Sequence, residues 1–221
     1  MLLQLSEVEM NKLLSIDSTL CSTDLCRLGA KYPTDKSPLN KDNNLHKHAY
    51  TAIYNLLFSS MKNKQINLAE IGIYNNMSIH CWRDFFPKAT IYGLEFQEAC
   101  IKNALSHNLP NTFYYSIDVK SEHSVKSTFD KLNCKLDIII DDSTHQTSDQ
   151  INVITSCLNY LNSGGYLIIE DLFKRVDTKI FSEVLDKMKD SIIDYFFIDA
   201  NHKNRYSAEW DNDRLLIIIR R

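Results

Sequence analysis

Breakers are scarce in this sequence: five glycines and four prolines in 221 residues. That scarcity excludes collagen-like and low-complexity chains. Long apolar runs are also missing. Stretches such as Leu215–Ile219 fall far short of the ~18 residues a membrane-spanning helix needs. Neither charge sign dominates, with 25 Lys+Arg against 28 Asp+Glu, so a nucleic-acid footprint over the whole surface is not expected. The six cysteines (Cys21, Cys26, Cys81, Cys100, Cys134, Cys157) form no C-x-x-C pair. They read as reduced thiols of a cytoplasmic protein. The apolar Met1–Leu5 is followed at once by Glu7 and Glu9, with no basic region and no small-residue cleavage site, so no signal peptide is expected. Neither a G-x-G-x-x-G fingerprint nor a G-x-S-x-G elbow occurs.

What is present is an ordinary globular balance, 44% hydrophobic and 24% charged. A chain this long buries roughly 70% of its unfolded surface and needs no disulfide or structural metal to fold. Residues 1–30 read as a helical piece, with Leu2, Leu5, Val8, Leu13 and Ile16 near helical spacing. A loop follows over 31–47, and an amphipathic helix starts at Leu45. Strands and helices then alternate. The pattern predicts strands over 66–73, 90–96, 112–117, 136–140 and 165–169, each followed by a helix. Two more strands, over 193–199 and 214–220, have only a polar loop between them and should pair antiparallel. The expected fold is α/β: a doubly wound, seven-stranded, mostly parallel sheet with an antiparallel last strand. Residues 1–45 would be an N-terminal extension on the substrate side, and 46–221 the Rossmann-like domain.

In such sheets ligands bind at the carboxyl ends of the strands. Acids stand there after every strand of the parallel set: Glu70, Glu95, Asp118, Asp141 with Asp142, and Glu170 with Asp171. Any one of them could cap the helix that follows. Gathered at one rim they repel, unless a cation or donor-rich ligand compensates them. The sharpest group is Asp142, His145, Glu170 and Asp171. Three carboxylates suit a hard cation such as Mg²⁺, Mn²⁺ or Ca²⁺. His145 could be a further ligand or a general base, since imidazole titrates near neutral pH. Glu95 can accept both hydroxyls of a ribose. Without the pyrophosphate fingerprint, an adenosine ligand such as S-adenosylmethionine fits better than a dinucleotide.

These residues resemble the class I S-adenosylmethionine-dependent methyltransferases. More narrowly, they resemble the metal-dependent sugar O-methyltransferases of the mycinamicin type and their relatives in bacterial polysaccharide clusters. The resemblance covers roughly 30–221. It is carried by Lys31-Tyr32-Pro33-Thr34-Asp35-Lys36, His48-Ala49-Tyr50, Glu70-Ile71-Gly72 and Trp82-Arg83-Asp84-Phe85-Phe86-Pro87. Ile91-Tyr92-Gly93-Leu94-Glu95, Asp141-Asp142-Ser143-Thr144-His145 and Ile169-Glu170-Asp171 complete it. It implies that Asp142, Glu170 and Asp171 bind Mg²⁺ and that His145 is the general base. It implies that Glu95 holds the ribose, that Glu70, Gly72 and Ser78 line the methionine end, and that Asp118 lies near the adenine. Phe96 and Asp141 complete the expected cofactor-binding set. The family's glycine-rich first turn is Tyr74-Asn75-Asn76 in this chain.

The substrate side is expected over 31–54, where Lys31, Lys36, Lys41, His46, Lys47 and His48 are mixed with Tyr32, Tyr50 and Tyr54. Tyr32, Thr34, Asp35, Lys36, His48 and Tyr50 are the candidate contacts. A small-molecule acceptor is expected, either a sugar or a phosphorylated or nucleotide-linked sugar. A homo-oligomer is compatible with the sequence. Three other readings stay open: methylation of a phosphate-type oxygen, an oxidoreductase or hydrolase on the same sheet, and a non-catalytic S-adenosylmethionine-binding protein.

Overall fold

A computed structural model describes residues 12–42 and 46–221. Among these residues the first strand is β1 (Leu13–Asp17), followed by helices α1 (Asp24–Lys31) and α2 (Thr51–Phe58). Strand and helix then alternate through β2 (Asn67–Ile71), α3 (Met77–Phe85), β3 (Thr90–Glu95), α4 (Glu98–Ser106) and β4 (Thr112–Ser116). The alternation continues with α5 (Glu122–Leu132), β5 (Leu136–Asp141), α6 (Thr147–Cys157), β6 (Leu161–Ile169) and α7 (Lys179–Lys187). Strands β7 (Ile192–Asn201) and β8 (Arg214–Arg220) close the chain. No helix among the described residues is long and apolar enough to cross a membrane.

The strands form one sheet in the order β1-β7-β8-β6-β5-β2-β3-β4. All neighbours run parallel except β8, which lies antiparallel between β6 and β7. The sheet is therefore mostly parallel with an inserted antiparallel last strand, as the sequence pattern predicts. It has eight strands and not seven. The extra one is β1, which pairs parallel with β7 from Leu13 opposite Phe197 to Asp17 opposite Asn201. Leu13 and Ile16 thus belong to an edge strand, and the helical reading of 1–30 fails there. Two apolar residues three apart fit a short half-buried strand as well as a helix. The helix in this part of the chain is α1, capped by the Thr23 side chain on the Cys26 N–H. Leu2, Leu5, Val8 and Leu45 lie outside the described residues.

The central strands are apolar on both faces because both are covered. Ile138 and Ile140 of β5 join a core with α1, α2 and α3, while Ile139 joins the opposite core with α5, α6 and α7. Alternate residues of β6 and β8 divide in the same way. Each fully buried Ile contributes roughly 1.5–3 kcal/mol. All six cysteines are unpaired; Cys26, Cys81 and Cys157 are buried, and Cys21 is exposed.

The strand order reverses direction between β2 and β5, which is where open α/β sheets open a crevice. Left-handed backbone gathers at this rim. Gly72 (φ 85°), Tyr74 (40°) and Asn76 (68°) follow β2, His145 (57°) follows β5, and Asp171 (58°) follows β6. Asn76 supplies a left-handed turn just before α3, in a first turn with few glycines. Gly72 lies so close to the next loop that a Cβ would stand 2.0 Å from the Asp142 carbonyl oxygen. Gly164 is also left-handed, yet nothing lies within 4 Å of its would-be Cβ. Gly72→Ala should therefore cost about 2–4 kcal/mol of stability, and Gly164→Ala only ~1 kcal/mol. Urea denaturation of the two variants measures the difference, and equal losses would contradict this packing.

Candidate active site

A cavity of about 540 Å³ opens at the carboxyl ends of β2, β3, β4, β5 and β6. That volume suits a small-molecule ligand. One end is lined by Glu95, Phe96, Ile117, Asp118 and Val119, and the other by His46, His48, Asp142, His145, Asp171 and Trp210. A smaller pocket beside Gly72 is lined by Thr34, Asp35, Ser78 and Asp142. Glu95 is nearly buried and shapes the first end. Its Oε2 accepts the N–H groups of Ile73 and Tyr74, both at 3.1 Å, and its Oε1 accepts that of Gln97 at 2.9 Å. A carboxylate offers about four acceptor sites, so ligand hydroxyls can still bind it.

Beneath the cavity lies a buried ion cluster. The ammonium of Lys36 sits among three carboxylates: it bonds Asp142, lies 2.6 Å from Glu170 and lies 3.3 Å from Glu70. Lys36 is 2% exposed. Burial alone would strip its proton, but Asp142, Glu170 and Glu70 hold the ammonium charged well above the usual lysine range. Burial pushes Glu170 up to about 7, with Lys36 opposing the shift. It also pushes Asp142 well above the usual carboxylate range, again against Lys36. The Tyr54 hydroxyl bonds the other Glu170 oxygen, and the Trp82 Nε1–H donates to Glu70 at 2.5 Å. Both aromatic donors come from helices on the face that carries α1 to α3.

A second relay serves Asp171. The Tyr50 hydroxyl donates to its Oδ1 at 2.6 Å, and His48 Nδ1 lies 3.6 Å from the same atom. His48 Nδ1 is 2.9 Å from Asp213 Oδ1, and Arg205 bonds the other Asp213 oxygen. Burial works against charge on His48, but Asp171 and Asp213 prevail and raise it to about 9. The Lys36 carbonyl receives the N–H groups of Tyr50 and Thr51, both at 3.2 Å, which ties the 34–36 segment to the start of α2.

His145 stands over this floor. Its Nε2 lies 3.7 Å from Asp171 Oδ2, and its Nδ1 is buried without a partner. Burial lowers its pKa, opposed by Asp171, so the ring is neutral at neutral pH and can accept a proton. Its loop is held by two hydroxyls: Ser143 donates to Asp141 at 2.6 Å and Thr144 to Asp149 at 2.7 Å. Asp142, His145 and Asp171 each offer one ligand atom, and these atoms lie within 4.8 Å of one another. Two carboxylates and an imidazole with a free nitrogen fit a divalent cation that keeps places for water or substrate.

The sequence-predicted residues fall into three groups. Gly72, Glu95, Phe96, Asp118, Asp142, His145, Asp171, Asp35 and His48 line the main cavity, and Ser78 and Thr34 line the smaller pocket. Glu70, Asp141, Glu170, Lys36 and Tyr50 are buried behind the wall. Glu170 shares the Lys36 ammonium with Asp142 and gives its other oxygen to Tyr54, and it is outside the group formed by Asp142, His145 and Asp171. Lys36 faces those acids and not an open substrate side. Tyr32 is turned away, with its hydroxyl on Asp84 at 2.8 Å and its ring stacked on His80. The sequence reading did not single out Trp210, Asp213 or Arg205. Trp210 had one available signal: it is one of only two tryptophans, and it sits in a polar loop.

The raised His48 carries a pH signature. A folded-state pKa of about 9 against an ordinary 6.5 gives stability that is full below pH 6.5 and lost as pH rises through 9. In chelator, the native protein should lose roughly 3 kcal/mol more across that window than His48→Gln. Urea titrations at several pH values measure it, and parallel profiles would contradict the His48–Asp213–Asp171 relay.

No family model matches the chain. It is 26% identical over 132 residues to a tetracenomycin-C rhamnosyl 2'-O-methyltransferase of Streptomyces olivaceus, covering 57% of this chain and 33% of that protein. It is 27% identical over 164 residues to a 3'-O-methyltransferase of the same organism, covering 68% and 37%. It is 23% identical over 160 residues to mycinamicin VI 2''-O-methyltransferase of Micromonospora griseorubida, covering 68% and 36%. The chain thus spans about a third of the length of the curated relatives it matches. Among solved structures, a mycinamycin-pathway methyltransferase in complex with Mg and SAH superposes with a TM-score of 0.65 at 17% identity, covering 90% of this chain and 54% of that one. Aeropyrum pernix fibrillarin with natively bound S-adenosyl-L-methionine gives 0.51 at 17% identity, covering 75% and 74%. The chain has the fold of the class I methyltransferases and is similar in sequence to sugar O-methyltransferases of the mycinamicin and tetracenomycin type.

Proposed function

We propose that the chain is an S-adenosylmethionine-dependent, Mg²⁺-assisted O-methyltransferase that acts on a sugar hydroxyl. The acceptor would belong to a surface polysaccharide or natural product, as a free, phosphorylated or nucleotide-linked sugar. The observation that carries this reading is the cavity itself: a neutral, half-buried imidazole beside two cavity-facing carboxylates, with an acid at the end of β3 in the same cavity. Six unpaired cysteines agree with a cytoplasmic location.

Each residue then has a defined task. Glu95 accepts the ribose hydroxyls, Phe96, Ile117 and Val119 give the adenine an apolar bed, and Asp118 lies at that edge. Gly72 leaves room for close approach between the β2 and β5 loops, with Ser78 and Thr34 at the methionine end. S-adenosylmethionine supplies a sulfonium methyl group, the electrophile of the reaction. Asp142 and Asp171 would hold the cation, with His145 adjacent. Mg²⁺ supplies Lewis acidity that lowers the pKa of an alcohol. His145 would accept the hydroxyl proton as the methyl passes to the oxygen and S-adenosylhomocysteine is left. Lys36 favours the charged forms of Asp142 and Glu170 beneath the site, against the burial that raises both. Holding both reactants in register provides much of the acceleration.

The test is transfer of labelled methyl to a panel of methyl pyranosides and sugar nucleotides, with Mg²⁺ and with chelator. His145→Ala should lower turnover about 10²–10⁴-fold while cofactor affinity is kept. An unchanged rate would point to a phosphoryl oxygen, which needs no base. An equal loss of cofactor binding would overturn the base assignment.

A further inference from the structure

The end of the cavity that holds His145 has one feature the mechanism does not use. Trp210 is 43% exposed and lines the cavity wall. Its ring lies edge-to-face with His46 (5.3 Å, 87°) and with His145 (6.0 Å, 79°). Behind it stands Phe173, at 5.5 Å, and the Arg175 guanidinium lies 4.0 Å from the Phe173 ring. An aromatic shelf therefore runs outward from the proposed base.

The loop that carries Trp210 is tied down on both sides. The Trp210 N–H bonds the Ser207 carbonyl at 3.2 Å, and Lys47 and Tyr206 exchange backbone hydrogen bonds at 2.7 and 3.1 Å. The Lys174 N–H bonds the Asp211 carbonyl at 2.8 Å, and the Leu172 N–H bonds that of Arg214 at 3.0 Å. Arg205 and His48 hold Asp213 from both sides. A large indole left half open on a pinned loop is a prepared contact surface, because little ordering remains to be done on binding.

We infer that Trp210 is the platform for the acceptor: a pyranose ring lies with its C–H face on the indole, presenting one hydroxyl to His145. The inference rests on the methyl-transfer reading above. The chemistry fits. A sugar ring has an apolar C–H face and a polar hydroxyl rim. An indole takes the first, while His145, Asp142 and Asp171 meet the second. Phe96, Ile117 and Val119, proposed above as the adenine bed, line the same cavity and none of them is in ring contact with Trp210. Trp210 is thus a binding and specificity residue that acts on acceptor affinity and not on the cofactor.

Saturation-transfer NMR tests this with methyl α-L-rhamnopyranoside and UDP-glucose as probes, in the presence of SAH and Mg²⁺. The native protein should transfer saturation to the ring C–H protons of at least one probe. Trp210→Phe should keep the signal, and Trp210→Ala should weaken affinity about tenfold. Calorimetry should find SAH affinity within about threefold of native in both variants. Binding of the neutral pyranoside assigns the platform to the sugar ring alone, and binding of UDP-glucose only assigns it to a nucleotide-linked sugar. Unchanged probe affinity in Trp210→Ala, or no binding of either probe to an SAH-saturated native protein, overturns the inference. Absence of SAH binding to the native protein overturns the methyl-transfer reading instead.

Discussion

One buried ammonium makes the acidic rim of this sheet tolerable. Glu70, Asp142 and Glu170 end three adjacent parallel strands, so the topology forces their carboxylates together. Burying like charges at such separations costs several kcal/mol per ion unless an opposite charge is buried with them. Lys36 is that charge. It reaches the strand ends from a loop 34 to 134 residues away in sequence. The fold of the N-terminal segment and the geometry of the cavity floor are therefore a single problem with a shared solution.

The segment from Thr34 to Tyr54 acts throughout as the complement of the strand ends. Lys36 and Tyr54 take Glu170, while Tyr50 and His48 take Asp171. Once these partners are in place, the groups left facing the cavity are few. They include one side of Asp142, the Asp171 edge nearest His145, and Glu95, with Asp35 and Asp118 also on the lining. Left-handed backbone at Gly72, His145 and Asp171 turns the loops so that these groups converge. Strained or rare backbone concentrates at functional sites for this reason.

Much of the fold was legible in the sequence because burial on both faces leaves a plain mark. Ile138-Ile139-Ile140, Leu167-Ile168-Ile169 and Leu215–Ile219 read as central strands without ambiguity. The missing helix between β7 and β8 announced the antiparallel pair. Strand β1 was not legible, since five residues with two half-buried apolar positions carry no distinct period. In the site, acids after strands could be found from their positions, and His145 from its spacing to Asp142. The direction of each side chain could not. Lys36 reads as a basic loop residue, because the acids that bury it are distant in sequence. Glu170 and Asp171 are neighbours in the chain, yet one faces the lysine and the other the cavity. Trp210 hid in a polar loop whose position depends on contacts from Lys47, Lys174 and Arg205.

Of these acids, Asp142, Asp171 and Glu95 line the cavity proposed above as the site of an S-adenosyl nucleoside. Calorimetric titration of SAH into the native protein in Mg²⁺ buffer, repeated with Glu95→Ala, tests that assignment most directly. Binding on the order of micromolar Kd is expected for the native protein, with a loss of about tenfold or more in the variant. No binding to the native protein, or equal affinity in the two, would contradict it.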